Sequence, residues 1–338
     1  MVILALRAIS SKSLTSLTKY PINNSSIVIL HQYPHNLQGE PMKCATHNKI
    51  FHADDVCGTA TCDLLGMITS LVRTRDYLTI KSADIVIDVG YVYDPDRGRY
   101  DHHQEGGAGS RSNGIPYASF GLVWKHYGEE LCGSAEIAKI VDAHLVQAVD
   151  ATDCGVDLYA KLVYEGAAPC TVSDILWNFN PDSDKQPTAQ DFDNQFTLAV
   201  EMAKTIIKNE IRQAGGCLKA NGIIAKAFQE ANDRRVLVLN CFCSRRDWQE
   251  AAVKIETALF VIFPSESGQW SVQAVPVARG FSAVRRKFPA AWAGKRDREL
   301  SAITGVLGAF FCHNAGFVAM ANSKEGALKL AELALQES

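Results

Sequence analysis

His47, His52, Asp54 and Asp55 crowd one short stretch, "ATHNKIFHADDVCGTA" (45–60), between a run of small and apolar residues and a helix-like pattern. Asp101, His102 and His103 form a second group in "RYDHHQ". Four of the chain's nine histidines lie in these two groups. Asp88 stands between them in "ADIVIDVG" (83–90), and Asp150 and Asp153 lie in "AVDATDCG". Imidazole mixed with carboxylate suits Mn²⁺, Zn²⁺, Fe²⁺ or Co²⁺, and Mg²⁺ where carboxylates dominate. Two such ions about 3.5–4 Å apart share a water, lower its pKa and hold a phosphate oxygen. A structural zinc site is disfavoured, because the groups are carboxylate-rich and the ten cysteines form no C-x-x-C pair.

Each group alone has a plainer structural reading. Asp101-His102-His103 could be a surface loop, and His47 with His52 a core or capping feature. Asp88 could cap the following turn, and Asp150 and Asp153 could end a helix. Spacing does not decide which of the last two would be a ligand. Jointly, however, His47, Asp54, Asp88 and Asp101–His103 all fall at or just after candidate strand ends. In an open α/β sheet such ends converge on one crevice.

The elements that must position these groups follow from the apolar pattern. "ADIVIDVG" is a β-branched run of buried-strand type. Helical spacing covers 55–73, 117–127 and 134–149. Strand and helix signals alternate, which predicts an α/β fold with a parallel sheet flanked by helices. A turn-rich break, "NPDSDKQPT" (180–188), precedes a long amphipathic helix at 189–214, ended by Gly215-Gly216. Strands are then predicted at 235–240, 258–264, 270–276 and 316–321, and a last helix at 323–336 with Asn322 as its cap. This second part reads as a smaller α+β domain.

The chain has 338 residues, 47% hydrophobic and 21% charged, ordinary for a globular protein. A net charge of −3 confines any nucleic-acid site to a local patch. No stretch reaches the roughly 20 apolar residues of a membrane span, so no membrane partner is expected. The cysteines read as reduced thiols. Before Glu40 there is no acidic residue, while Arg7, Lys12 and Lys19 stand among Ser, Thr and Leu. That composition fits a mitochondrial targeting segment or a disordered extension over 1–40.

In order along the chain, "THNKIFHADD", "ADIVIDVGYVYDPDRGRYDHHQ", "NGIPYASFGLVWKHYG", "AVDATDCGV", "RKFPAAWAGKRDRELS" and "FFCHNAGFV" resemble the Myg family of metal-dependent exonucleases. That family (named for the melanocyte proliferating gene product) is a branch of the DHH phosphoesterase superfamily. The resemblance spans residues 42–322. It implies a DHH-type metal-binding phosphoesterase domain at 41–186, a linker helix at 187–216 and a substrate-binding α+β domain at 217–338. It also implies two divalent ions, Mn²⁺ before Mg²⁺, and cleavage of RNA from the 3′ end in mitochondria and nucleus.

Site roles carried over with the resemblance are these. His47, His52, Asp54, Asp88, His102 and either Asp150 or Asp153 would hold the metals, with Asp88 bridging. His52 stands where the superfamily's first motif has an aspartate, which tilts the site away from Mg²⁺. His103 would lie over the scissile phosphate, Asp101 would orient a histidine, and Asp55 would support from the helix N-terminus.

On the substrate side, Arg285, Arg286, Lys287, Lys295, Arg296 and Arg298 are interleaved with Phe281, Phe288 and Trp292. Cations on phosphates with aromatics stacking bases would suit single-stranded RNA or a short nucleotide. The plainer reading turns those aromatics into a core. His313 and Gly316 in "CHNAGF" resemble the superfamily's substrate loop, though a tight turn explains Gly316 equally well. Arg111 could clamp a phosphate or be a plain surface arginine. Three functions stay in play: a 3′–5′ exoribonuclease, a small-molecule phosphatase or pyrophosphatase with the same centre, and a nucleic-acid-binding scaffold with a structural metal site.

Overall fold

The computed structural model describes residues 42–158, 168–278 and 282–336. The expected N-terminal extension and Phe281 lie outside them. The first sheet holds β1 (Lys43–Thr46), β2 (Ser70–Arg73), β3 (Ile85–Ile87), β4 (Tyr93–Asp94) and β5 (Arg99–Tyr100), in the order β2-β1-β3-β5-β4. All pairings are parallel except the edge pair β4–β5. The architecture is therefore α/β, as the alternation of signals predicted.

One face of this sheet is closed by α1 (Ala53–Leu64) and α3 (Ser119–Cys132). Cys44, Ile85, Ile87 and Tyr100 pack there against Cys62, Leu122 and Val123. The other face carries Ala45, Val86 and Val89, and beside them Ala83 and the half-buried Ile80. Ile80 comes from α2 (Tyr77–Lys81). The predicted helix over 55–73 is too long. The chain leaves α1 at Leu64, turns at Gly66, and Leu71 and Val72 belong to β2. The pattern at 134–149 becomes α4 (Ala135–Val141), a π-helical turn (Asp142–Val146) and α5 (Gln147–Asp153). A short α6 (Val172–Trp177) follows.

The long helix, α7 (Ala189–Glu230), passes straight through Gly215-Gly216 instead of stopping there. A Cβ on Gly216 would lie 2.8 Å from Asp247 Oδ1 on α8 (Arg245–Val253). The glycine therefore serves a close helix–helix approach, not a helix end. Up to Ala214, α7 buries Phe196, Val200 and Ile207 in the core beneath α1. Beyond it, Ala220, Ile224 and Ala227 join a core with α8 and the second sheet.

The second sheet is β6 (Val236–Val238), β7 (Phe260–Pro264), β8 (Trp270–Ala274), β9 (Ala309–Cys312) and β10 (Val318–Ala321), ordered β6-β7-β8-β10-β9. Only β6–β7 is parallel. Neither β9 nor α9 (Asp297–Thr304) was predicted. The last helix, α10 (Lys324–Gln336), is capped by Ser323, whose Oγ accepts from Gly326 N at 3.1 Å, and not by Asn322. Among the described residues no helix is long and apolar enough to cross a membrane.

Candidate metal centre

His47, Asp88 and Asp101 are each the first residue after a strand, following β1, β3 and β5. Those three strands are parallel neighbours, so the three side chains start from one edge of the sheet. Asp88 itself has φ +57°, in the left-handed region, and Gly90 and Tyr91 follow at +99° and +59°. Such a backbone costs a non-glycine residue roughly 1–2 kcal/mol. Strain of this kind gathers where a fold holds functional groups in place.

Asp88 is the hub. Its Oδ2 lies 3.3 Å from His47 Nε2, and its Oδ1 lies 3.5 Å from His102 Nε2 and 3.4 Å from His103 Nδ1. Ser119 Oγ donates to the same Oδ1 at 3.1 Å. Asp153, at the end of α5, places Oδ2 3.1 Å from His102 Nε2 and Oδ1 4.0 Å from His52 Nδ1. Three donor groups result, each within 4.8 Å: His47, His52 and Asp88; Asp88, His102 and His103; Asp54, His102 and Asp153. Asp88 is common to the first two and His102 to the last two.

Supporting contacts fix these rings and acids. Asp101 Oδ1 is 2.8 Å from His103 Nδ1 and also accepts from His103 N, so the ring is clamped with Nε2 left free to face the cleft. Asp55 Oδ1 accepts from His52 N, while its Oδ2 stands 3.2 Å from His47 Nε2. The first turn of α3 has no side-chain cap of its own. Asp54 supplies it from α1, accepting from Ser119 N at 3.0 Å and Phe120 N at 2.7 Å. A carboxylate at a helix N-terminus is favoured by the dipole there.

The cluster calls for positive charge. Burial pushes the Asp54 carboxyl up, and lifts Asp55 to about 7. Burial also opposes ionisation of Asp88, but the adjacent His102 and His47 imidazoles outweigh it and hold it well below the carboxylate range. For His47 and His102 burial pulls the imidazoles down, and their carboxylate neighbours overcome it and raise both. His103 is raised by its bond to Asp101. The same carboxylate charge that raises the rings is what bound cations would answer. His102 Nε2 and Asp55 Oδ2 are buried beside these charges yet make no aligned hydrogen bond. Close-set atoms without aligned hydrogen bonds and a mixed imidazole–carboxylate set fit divalent ions.

Several residues singled out in the sequence do not join the cluster. Asp150 accepts from Gly121 N at 2.9 Å and from Arg111 Nη1 at 2.7 Å, and its carboxylate occupies the space a Cβ on Gly121 would need. Asp153, not Asp150, is the one beside His102. Arg111 is no phosphate clamp. It is almost fully buried, bridges Asp150 and Asp142 of the π-helical turn, and lies on the Tyr117 ring.

The basic run is also corrected. Arg285 spends its guanidinium on the carbonyls of Val253, Ile255 and Ala258, and Arg286 on those of Ala334 and Leu335. Both arginines tie off helix ends. Phe288 and Trp292 are 3% and 1% exposed and belong to the core under the second sheet, so they cannot stack bases. Lys287 is exposed, as is Arg296, whose guanidinium lies over the Phe311 ring at 5.4 Å. His313 and Gly316 form the β9–β10 turn, where His313 Nδ1 accepts from Ala315 N and Gly316 adopts φ +69°.

Other residues at the cluster were missed. Cys154 Sγ lies 3.8 Å from His102 Nδ1, directly after Asp153. Trp177 of α6 stacks on His52 with ring centroids 5.7 Å apart, and is 48% exposed. Trp177 lines a cavity of about 360 Å³ together with His52, Asp54, His103 and Asp153. An aromatic in "SDILW" gave a signal, but no spacing linked it to the histidines.

The family described as MYG1_exonuc, Uncharacterised protein family (UPF0160), matches residues 43–335. The MYG1 exonuclease of Mus musculus is 31% identical over 338 residues, covering 90% of this chain and 87% of its own length. Among solved structures, the pGpG-specific phosphodiesterase PggH from Vibrio cholerae covers 87% of this chain at 12% identity and a TM-score of 0.30, with 98% of its own chain covered. RecJ from Thermus thermophilus, in complex with Mn²⁺, covers 88% at 13% identity and a TM-score of 0.26, with 52% of its own chain covered.

Proposed function

This chain belongs to the MYG1 exonuclease family, and from that premise we propose that it is a metal-dependent hydrolase of phosphodiester bonds, acting as a 3′–5′ exoribonuclease. The observation that carries the reading is Asp88, within 3.5 Å of ring nitrogens from His47, His102 and His103. One ion would be held by His47, His52 and Asp88, and a second by Asp54, His102 and Asp153, with Asp88 lying 3.5 Å from the His102 ring between them. Mn²⁺ suits the histidine-rich set better than Mg²⁺. When bound, the ions supply Lewis acidity that lowers the pKa of a water and offsets charge building on the phosphate.

The chain's own groups do the rest. Asp101 fixes the His103 ring through Nδ1, so that Nε2 can donate to a phosphate oxygen or the leaving oxygen. Trp177 offers a ring face beside the site on which a base can stack. Direction and RNA preference are supported by the motif resemblance, and nuclease activity by the name of the mouse relative. The proposal includes the division of labour expected from the sequence, with the metal-bearing part at 41–186 and the substrate-holding part at 217–338.

The test incubates purified protein with 3′- and 5′-labelled single-stranded RNA, and separately with pyrophosphate, in Mn²⁺ or EDTA. Stepwise loss from the 3′ end, abolished by EDTA and by Asp88→Ala, is the expected result. Release of phosphate from pyrophosphate alone would instead indicate the small-molecule phosphatase. Retention of RNA without turnover would indicate a binding scaffold.

A further inference from the structure

Parallel sheets bury both faces, but the second face of the first sheet is covered mainly by α2, five residues long. Beside that helix lies a cavity of about 700 Å³ with Val86 and Val89 in its wall and Arg75, Tyr77, Lys81 and Tyr91 around it. Arg75 and Tyr91 also line the smaller cavity that holds His47, Asp88 and His103, so the two spaces share a wall. The Tyr91 ring stands edge-on to His103 at 6.3 Å.

The chemistry of this wall is specific. Arg75 is exposed and makes no hydrogen bond or ion pair among the described residues. A free guanidinium beside a phosphate-processing centre matches a phosphate oxygen pair in fork geometry. Tyr77 and Tyr91 are 69% and 68% exposed, large for aromatic rings, and no aromatic ring among the described residues stacks face to face on either. Tyr91, at φ +59° in the left-handed region, carries the second ring at the rim. Lys81 sits 5.8 Å from the Tyr77 ring and adds a second cation. Arg97 is answered by Asp94 and Arg99 by the carbonyl of Ala83, which leaves Arg75 as the uncommitted guanidinium of this wall among the described residues. An apolar floor, two open aromatic faces and a free cation suit neither a bare phosphate nor an apolar ligand. They suit a planar base joined to a phosphate, and the volume lies in the range of small-ligand sites, about 300–1,000 Å³.

We propose that this cavity is a nucleotide subsite: it takes one nucleotide of the strand next to the scissile phosphate, with its phosphate on Arg75 and its base against Tyr77 and Tyr91. The inference rests on the phosphodiesterase reading and adds to it where the strand is gripped. It puts this grip on the metal-bearing part of the chain, whereas the sequence pointed to the basic run at 285–298 in the second part.

The full-length protein in EDTA is titrated with 5′-AMP and with ribose 5-phosphate by calorimetry, so that no turnover intervenes. The wild type binds 5′-AMP about tenfold tighter than ribose 5-phosphate, the difference being the base. Tyr77→Ala and Tyr91→Asn remove most of that difference; asparagine tolerates the left-handed backbone at 91. Arg75→Ala weakens both ligands about tenfold. Equal affinity of the wild type for the two ligands, or unchanged 5′-AMP binding in all three variants, overturns the subsite. RNA hydrolysis by the wild type is measured in parallel with Mn²⁺. Hydrolysis with unaltered 5′-AMP binding sinks the subsite alone. Variant-sensitive 5′-AMP binding without any hydrolysis upholds the nucleotide site and sinks the phosphodiesterase reading.

Discussion

Asp153 Oδ2 stands 3.1 Å from His102 Nε2, and this contact separates two aspartates that lie three residues apart on one helix. Asp150 is turned the other way, onto Arg111. On the proposed assignment, Asp153→Asn should therefore weaken binding of at least one ion by about a hundredfold or more, since it alters a carboxylate of the donor set and not merely a supporting contact. Asp150→Asn should leave ion binding near that of the wild type but lower stability by about 3–5 kcal/mol, because it breaks a buried ion pair. Metal titration and urea unfolding of both variants check the pair. Loss of metal on Asp150→Asn with none on Asp153→Asn would reverse the assignment.

His103 is the proposed proton donor. Its Nδ1 is held by Asp101, and half of its side chain is exposed. His103→Gln should lower kcat by about 10²–10⁴-fold with ion stoichiometry unchanged. Asp101→Asn should have a smaller effect of the same kind, because the ring keeps its place but loses the carboxylate that favours one tautomer. Equal loss of metal and of turnover in His103→Gln would make it a ligand instead.

The metal-free protein should lose stability as pH rises. His47, His102 and His103 are held above the ordinary imidazole value, the first two against the pull of burial. Asp55 is pushed up to about 7 by burial. All four bind protons more tightly folded than unfolded. Their stabilisation is full below the unfolded values, about 6.5 for histidine and 3.9 for aspartate, and fades as pH climbs through the folded ones. The Tm in EDTA should be lower at pH 8.5 than at pH 6.5. Ions need the ring nitrogens free of protons, so apparent Mn²⁺ affinity should rise over the same interval. A Tm in EDTA that climbs with pH contradicts this balance.

Arg285 belongs to stability and not to substrate. Its guanidinium meets the carbonyls of Val253 and Ile255, each at 2.6 Å, next to the C-terminus of α8. Arg285→Ala should cost about 1–3 kcal/mol in urea unfolding by leaving carbonyls unanswered. Lys287→Ala, at an exposed position, should leave unfolding within about 0.5 kcal/mol of wild type.

Strand ends were legible because β-branched runs such as "IVID" announce a buried strand, and parallel pairing then brings His47, Asp88 and Asp101 to one edge. Which aspartate of α5 faces the cluster was not legible. It depends on a partner, Arg111, far away in sequence and on room left by Gly121. Gly215-Gly216 imitated a helix end because local propensity cannot see α8 pressing against α7. Phe288 and Trp292 looked like stacking platforms because nothing in a linear pattern tells a core aromatic from a surface one. Arg75, Tyr77 and Tyr91 escaped notice for the opposite reason, since they come together only around a sheet face that a short helix leaves partly open.

The number of ions per chain tests the central claim most directly. Equilibrium dialysis of the wild type against Mn²⁺, with the bound metal counted by mass spectrometry, should give two ions per chain, and Asp88→Ala should hold neither tightly. A wild type that binds no Mn²⁺, or an Asp88→Ala variant that still binds two, would contradict it.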